Sequence, residues 1–515
     1  MIQRSRGKLQ TSEEFGVVGL PGRPAEEILL PEIADSREET EETRLADGEQ
    51  EGRTAFKKTV RFDIGLLVTK KHFAVERRFT RDDVISAETD TGEHGPPGYR
   101  VTWNALSSLV ALTVSYAIPA NRLAVMLSND FGAFSSGQIT RMLEYAANLC
   151  LEIYIGLGEE ISEVPVALGD DSPTNVTESL EESTKDGELV RQLDSQFGSQ
   201  SLRRDGEGLK KQVNLSFVCG QTVPDDSRSW IFFFRTHMGS VGNLLSRIFS
   251  SRKRKNKTIK VQSDLSSSNK LESMISQLFD VVYAGCSAHA RRPFWRNKDD
   301  DPGLCYYLLS CFALLARLEQ RVRAENASPE RIVELRQRHG RKIWQLILKK
   351  CREAAGMEPP SHEAVHVWPA DSPLGKAVRY VVKNQNLLEA YLSDAGFFMT
   401  NNLCERLIRR DVMMKLSSKF RRTKKGRAVF DILQTITATC TAAGVRLRDY
   451  LPFVFANRED IQISPQDYTP YAFCTRPGWR AKRPHDQHNP QFRGIALHSA
   501  GWWGLRRLFL FAQCI

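Results

Sequence analysis

Long apolar runs are absent from this chain. No stretch reaches the roughly 18 consecutive apolar residues that a membrane span requires. The opening Met1-Ile2-Gln3-Arg4-Ser5-Arg6 lacks the apolar core of a secretory signal. A cytoplasmic protein with no membrane partner is the expectation. Paired cysteines are missing as well: the ten cysteines fall at irregular spacing, with no Cys-x-x-Cys. They read as reduced thiols rather than a disulfide framework or a zinc ribbon. Cys286-Ser287-Ala288-His289 has ligand-like spacing, but no second pair matches it, so zinc is set aside. Acidic residues are too few to balance the basic ones. The net charge is +10 and the pI about 9.1, which points to a polyanion. Without a membrane element, nucleic acid is the better partner.

What is present suffices for real cores: 515 residues, 41% hydrophobic and 26% charged. Residues 1–55 are polar and acidic, with Glu38, Glu39, Glu41 and Glu42 in one run, and read as a disordered leader. Region 56–160 reads as a β-hairpin over 60–79 followed by helices near 103–118, 121–127 and 136–155. From 161 to 300 the pattern turns mixed. Val164–Leu168, Val213–Cys219, Trp230–Phe234, Thr258–Asp264 and Val281–Gly285 read as strands, with helices after the third, fourth and fifth. That order implies a mixed α/β sheet flanked by helices. Residues 301–385 are helical throughout, with Ser328-Pro329 and Ser372-Pro373 as start signals. A last core segment is expected over 386–455 and an irregular tail over 456–515.

Three carboxylates stand in suggestive places. Asp170 and Asp264 each follow an apolar, strand-like run. Glu405 lies one turn inside a helix that Asn402 is expected to cap. Metal-dependent cutting of a phosphodiester needs several carboxylates converging on one point, and magnesium takes oxygen ligands. Each residue also has an ordinary reading. Asp170 suits a turn beside Asp171 and Pro173, Asp264 suits a helix cap, and Glu405 could pair with Arg409 at i+4.

The local contexts resemble those of the IS66 family of bacterial insertion-sequence transposases. Gly169-Asp170-Asp171-Ser172-Pro173 is similar to the family's first-aspartate motif. Gly285-Cys286-Ser287-Ala288-His289-Ala290-Arg291-Arg292-Pro293-Phe294 is similar to its Gly-Cys-Trp-Ala-His-Ala-Arg-Arg-x-Phe signature. Ser372-Pro373-Leu374-Gly375-Lys376-Ala377 with Tyr380, and Asn401-Asn402-Leu403-Cys404-Glu405-Arg406, match the last two motifs. The resemblance covers about residues 100–455. It implies a ribonuclease-H-like catalytic fold with a helical insertion, and DNA cleavage and strand transfer at transposon ends. It further implies a DDE-type site of Asp170, Asp264 and Glu405 with Mg2+ or Mn2+, and a nucleoid-associated enzyme. Homo-oligomers that pair two ends, with accessory proteins of the same element, are expected partners beside end and target DNA. The chain departs from the pattern at Thr400, where the family has aspartate, at Ser287, where it has tryptophan, and at Leu265-Ser266 after the second aspartate. These departures keep two alternatives open: a degenerate DNA-binding remnant, and a stand-alone ribonuclease-H-like nuclease.

Expected DNA contacts are His289, Arg291 and Arg292, together with Arg406, Arg409 and Arg410 after the glutamate, and Lys253 and Arg254 in the basic loop 252–257. Arginine pairs with phosphate bidentately, and such clusters supply salt-dependent, sequence-independent affinity. A second basic run, from Lys415 to Arg427, follows the Glu405 helix. Trp295 and Trp344 are expected in the core.

Overall fold

The structure is a computed structural model. It describes residues 95–477, apart from 100, 132–133, 176–186, 199–203, 206–207, 210–211, 225, 254–257, 326, 360–365, 406 and 409–422. The leader, the 60–79 hairpin and residues 478–515 lie outside the described residues.

Five strands form one mixed sheet: β1 (Ala167–Asn175), β2 (Gln212–Gln221), β3 (Trp230–His237), β4 (Thr258–Ser263) and β5 (Asp280–Gly285). Their order is β3-β2-β1-β4-β5. β1, β2 and β3 pair antiparallel, whereas β1, β4 and β5 run parallel. Parallel neighbours need a crossover, and the helices Val241–Ser250 and Ser273–Leu278 supply it. Four of the strands fall on the segments expected for them. β1 does not: it was expected over 164–168 with Asp170 beyond its end, and it runs on through Asn175. Pairing with the long β2 carries it past Asp170 and Asp171. Pro173 is tolerated because β4 pairs with β1 only at Ala167 and Leu168, which leaves one edge of β1 open.

One face of the sheet shares a continuous core with the helical segment. Leu168, Leu215, Phe217 and Cys219 pack in one cluster with Phe294, Leu308, Trp344, Leu388, Leu403 and Cys404. On the other face, the helix Val241–Ser250 comes very close. A Cβ on Gly169 would lie 2.7 Å from Val241 Cγ2, so a side chain there would push the helix away.

The outer edge at β3 is closed by the long helix Lys424–Ala443. Backbone N–H groups of Phe232, Phe234 and Thr236 donate to Thr439 Oγ1, Thr435 Oγ1 and Asp431 Oδ2, at 3.2, 3.0 and 2.7 Å. Four residues of helix advance about 6 Å and two of strand about 6.7 Å, so the ladders stay in step. An open edge is thereby satisfied by side chains instead of a sixth strand.

The N-terminal helices Trp103–Val114, Ala120–Phe131, Ser136–Leu149 and Leu151–Ser162 pack with the C-terminal ones. Trp103 meets Phe455 at 4.9 Å between ring centres. Past residue 456, where periodicity fades, helices still form at Arg458–Ile463 and Pro470–Thr475. Among the described residues no single helix is long and apolar enough to cross a membrane.

Candidate active site

Register places the first two carboxylates. Leu168 lies opposite Gln262 on parallel β1 and β4. Two residues past that last pair come Asp170 and Asp264, near enough for Asp264's charge to act on Asp170. Asp264 directly follows β4. Asn269 Nδ2 and the Ser266 N–H (3.3 Å) donate to its Oδ1.

The helical turn at 402–405 brings the third. The approach to it is pinned at four points. Gln262 Nε2 donates to the Phe398 carbonyl, and the Phe398 N–H donates to Gln262 Oε1 at 2.9 Å. The Ser287 N–H donates to the Met399 carbonyl at 3.0 Å. Asn401 Nδ2 donates to the Gly169 carbonyl at 2.8 Å. Asn401 N–H points at Cys286 Sγ, 3.1 Å away. Asn401, not Asn402, is therefore the residue at the helix entrance. It is fully buried and ties Glu405's helix to the peptide just before Asp170.

Convergence appears in the electrostatics. Burial pushes the Asp170 carboxyl up to about 7, and the charges of Asp264, Glu405 and Asp171 push the same way against the Asp171 N–H that it accepts. Asp171 projects to the opposite face, where it accepts from Ser216 Oγ and from the Val241 N–H at 2.7 Å. It anchors the N-terminus of the helix Val241–Ser250. Tyr380 sits close by, its phenol pushed up to about 12 by burial and then by Asp264's charge.

The helix Ser287–Arg296 lines the other side. Arg292 Nη2 donates to Glu405 Oε1 at 2.9 Å, and His289 Nε2 lies 3.6 Å from the same oxygen. Burial holds the His289 imidazole below its ordinary pKa; Glu405 opposes that shift and Arg292 adds to it. Arg291 lies over the Trp295 ring at 6.0 Å. Trp295 itself is 48% exposed, a correction to its expected core place, whereas Trp344 is fully buried. Lys253 is exposed and precedes β4. Arg254, Arg406, Arg409 and Arg410 lie outside the described residues.

Sequence reasoning passed over Gln262 and Asn401. A glutamine alternating with Ile259 and Val261 was the available signal, since a buried amide needs a partner.

Residues 272–428, less than a third of the chain, match the family model described as "Transposase IS66 family". An uncharacterized protein of Sinorhizobium fredii (strain NBRC 101917 / NGR234), y4qI, is 26% identical over 172 residues, 33% of this chain and 30% of that protein. The chain thus matches less than a third of that relative's length. No solved structure matches. The family match holds three of the four motifs and Glu405, while Asp170 and Asp264 precede it. The chain carries a segment that matches the IS66 transposase family.

Proposed function

We propose that the chain is a DDE-type transposase that cuts transposon ends and joins them to target DNA, using Asp170, Asp264 and Glu405. The observation that supports this reading is that the charges of Asp264, just past a strand parallel to β1, and of Glu405, in the family-matched segment, both act on Asp170. A ribonuclease-H-like catalytic fold is supported by the sheet order β3-β2-β1-β4-β5 with β2 antiparallel to its neighbours.

The donor set suits a hard divalent cation, because all three side chains offer oxygen. Asp170, raised to about 7 by burial and by neighbouring carboxylates, marks a concentration of negative charge that Mg2+ or Mn2+ would neutralise. When bound, such an ion supplies Lewis acidity at the scissile phosphate. The chain's own work is positional. β1 holds Asp170, Ser266 and Asn269 hold Asp264 just past β4, Gln262 and Asn401 fix the approach to Glu405, and Arg292 balances Glu405 until a cation takes over.

The test is a labelled transposon-end duplex incubated with Mg2+ or Mn2+, with Glu405→Gln and Asp170→Asn alongside. Metal-dependent nicking and joined products are expected from the wild type, and neither from the variants. Salt-sensitive binding without cutting would support the degenerate remnant, which Thr400 favours. Cutting without joined products would support a stand-alone nuclease.

A further inference from the structure

We propose a second metal site, for a thiophilic divalent cation of the zinc class, made by Cys286, His289 and Glu405. One donor atom from each lies within 4.8 Å of the other two. Sulfur, imidazole nitrogen and a carboxylate oxygen are a zinc donor set, and three protein ligands leave a fourth position open. Magnesium has little use for the first two.

Burial pushes the Cys286 thiol up to about 11, so a bound cation must displace its proton. Cys286 occupies the N-cap of the helix Ser287–Arg296. Backbone N–H groups of Asn401, Ala288 and His289 are directed at its Sγ. These donors, at a helix N-terminus, act against that shift without reversing it. His289 comes from the next turn on the same side, and its buried Nδ1 makes no hydrogen bond. Glu405 arrives from a different segment, which is why sequence spacing alone showed only half a site. Arg292 is the competitor, at 2.9 Å from Glu405 Oε1. Its side chain is 42% exposed, so it can swing into solvent when a cation takes the carboxylate. Binding releases the Cys286 thiol proton to water.

Glu405 cannot serve both sites at once. Resting on the transposase reading, zinc binding would therefore withdraw the third carboxylate from Asp170 and Asp264. Zinc would act as an inhibitor competing with Mg2+ or Mn2+.

The first experiment needs no DNA. Metal-free full-length protein is titrated with Co2+, and the cysteine-to-cobalt charge-transfer absorption is read. A saturable band that Zn2+ bleaches is expected, lost in Cys286→Ser. In His289→Gln cobalt affinity should fall by more than the ~10–100-fold that an outer-shell partner costs. Thermal melting in chelator checks that each variant is folded, and His289→Gln, at a half-buried position, decides the question if Cys286→Ser is not. No band in the wild type, or an undiminished band with unchanged affinity in the folded variants, overturns the proposal. A cobalt band in a protein that never cuts DNA would leave this site standing and sink the transposase reading instead. Metal-dependent cutting that zinc at saturating occupancy leaves unchanged would overturn the inhibitory role.

Discussion

Asp170 and Asp171 are neighbours in sequence, yet β1 turns their carboxyls to opposite faces and to different work. Asp171 is satisfied by Ser216 and the Val241 N–H. Asp170 faces other carboxylates, and its protonated form is favoured up to about 7 against an ordinary 3.8. Between those two values the folded chain holds a proton that the unfolded chain has lost, so stability falls as pH rises through that window. Above about 7 the full cost of the buried charge is present. Asp170→Asn removes the charge. In chelator at pH 8 the variant should melt above the wild type, by roughly 2–4 °C per kcal/mol recovered. The difference should shrink towards pH 4. Mn2+ should raise the wild-type melting temperature more than the variant's, because it binds the folded state through this carboxylate. A variant that melts lower than wild type at both pH values would show that Asp170 carries no such cost.

At the scale of elements, the site depends on how the 398–401 segment is sewn to the sheet. Gln262 is buried and satisfies both the N–H and the carbonyl of Phe398. Gln262→Leu keeps the volume roughly and leaves both groups unpaired, a cost of about 1–3 kcal/mol for a buried orphan. The urea midpoint should drop accordingly, the Phe398 amide should exchange faster, and end cleavage should fall although all three carboxylates remain. Unchanged Phe398 exchange would dismiss the pin. These elements also show what the sequence could and could not tell. Apolar runs marked β2 to β5, although the strand expected over Thr258–Asp264 ends one residue earlier, at Ser263. The end of β1 depended on its partner β2, which no local pattern records. Asn401 and Asn402 are equally good caps by type, and only the Gly169 carbonyl and Cys286 sulfur, distant in sequence, choose between them. Thr435, Thr439 and Asp431 satisfy an edge strand that lies about 200 residues earlier in the chain, which no local pattern records.

Across the whole molecule, a net charge of +10 does not mean that every basic residue is available to a polyanion. Both basic runs singled out in the sequence are partly internal. Arg252 is 5% exposed and donates to the Ser162 carbonyl. Arg427 is 2% exposed and donates to Thr174 Oγ1, with burial pulling its guanidinium down to about 10. Lys424 is buried too, whereas Lys253 is exposed. Periodicity cannot separate these cases, because a basic run at the end of a helix looks the same whether it faces water or a strand. The two kinds of charge should respond differently when DNA binding is measured against salt. Affinity falls with salt by a slope of about 0.9 per neutralised phosphate. Lys253→Ala should flatten that slope by about 1 and leave the unfolding midpoint in place. Arg252→Ala and Arg427→Ala should keep the wild-type slope under conditions where they are folded, and lower the urea midpoint by about 1–3 kcal/mol of stability as their buried partners lose a donor. A flattened slope in Arg427→Ala at full stability would place that guanidinium on the DNA surface, and with it the N-terminal turn of the helix Lys424–Ala443.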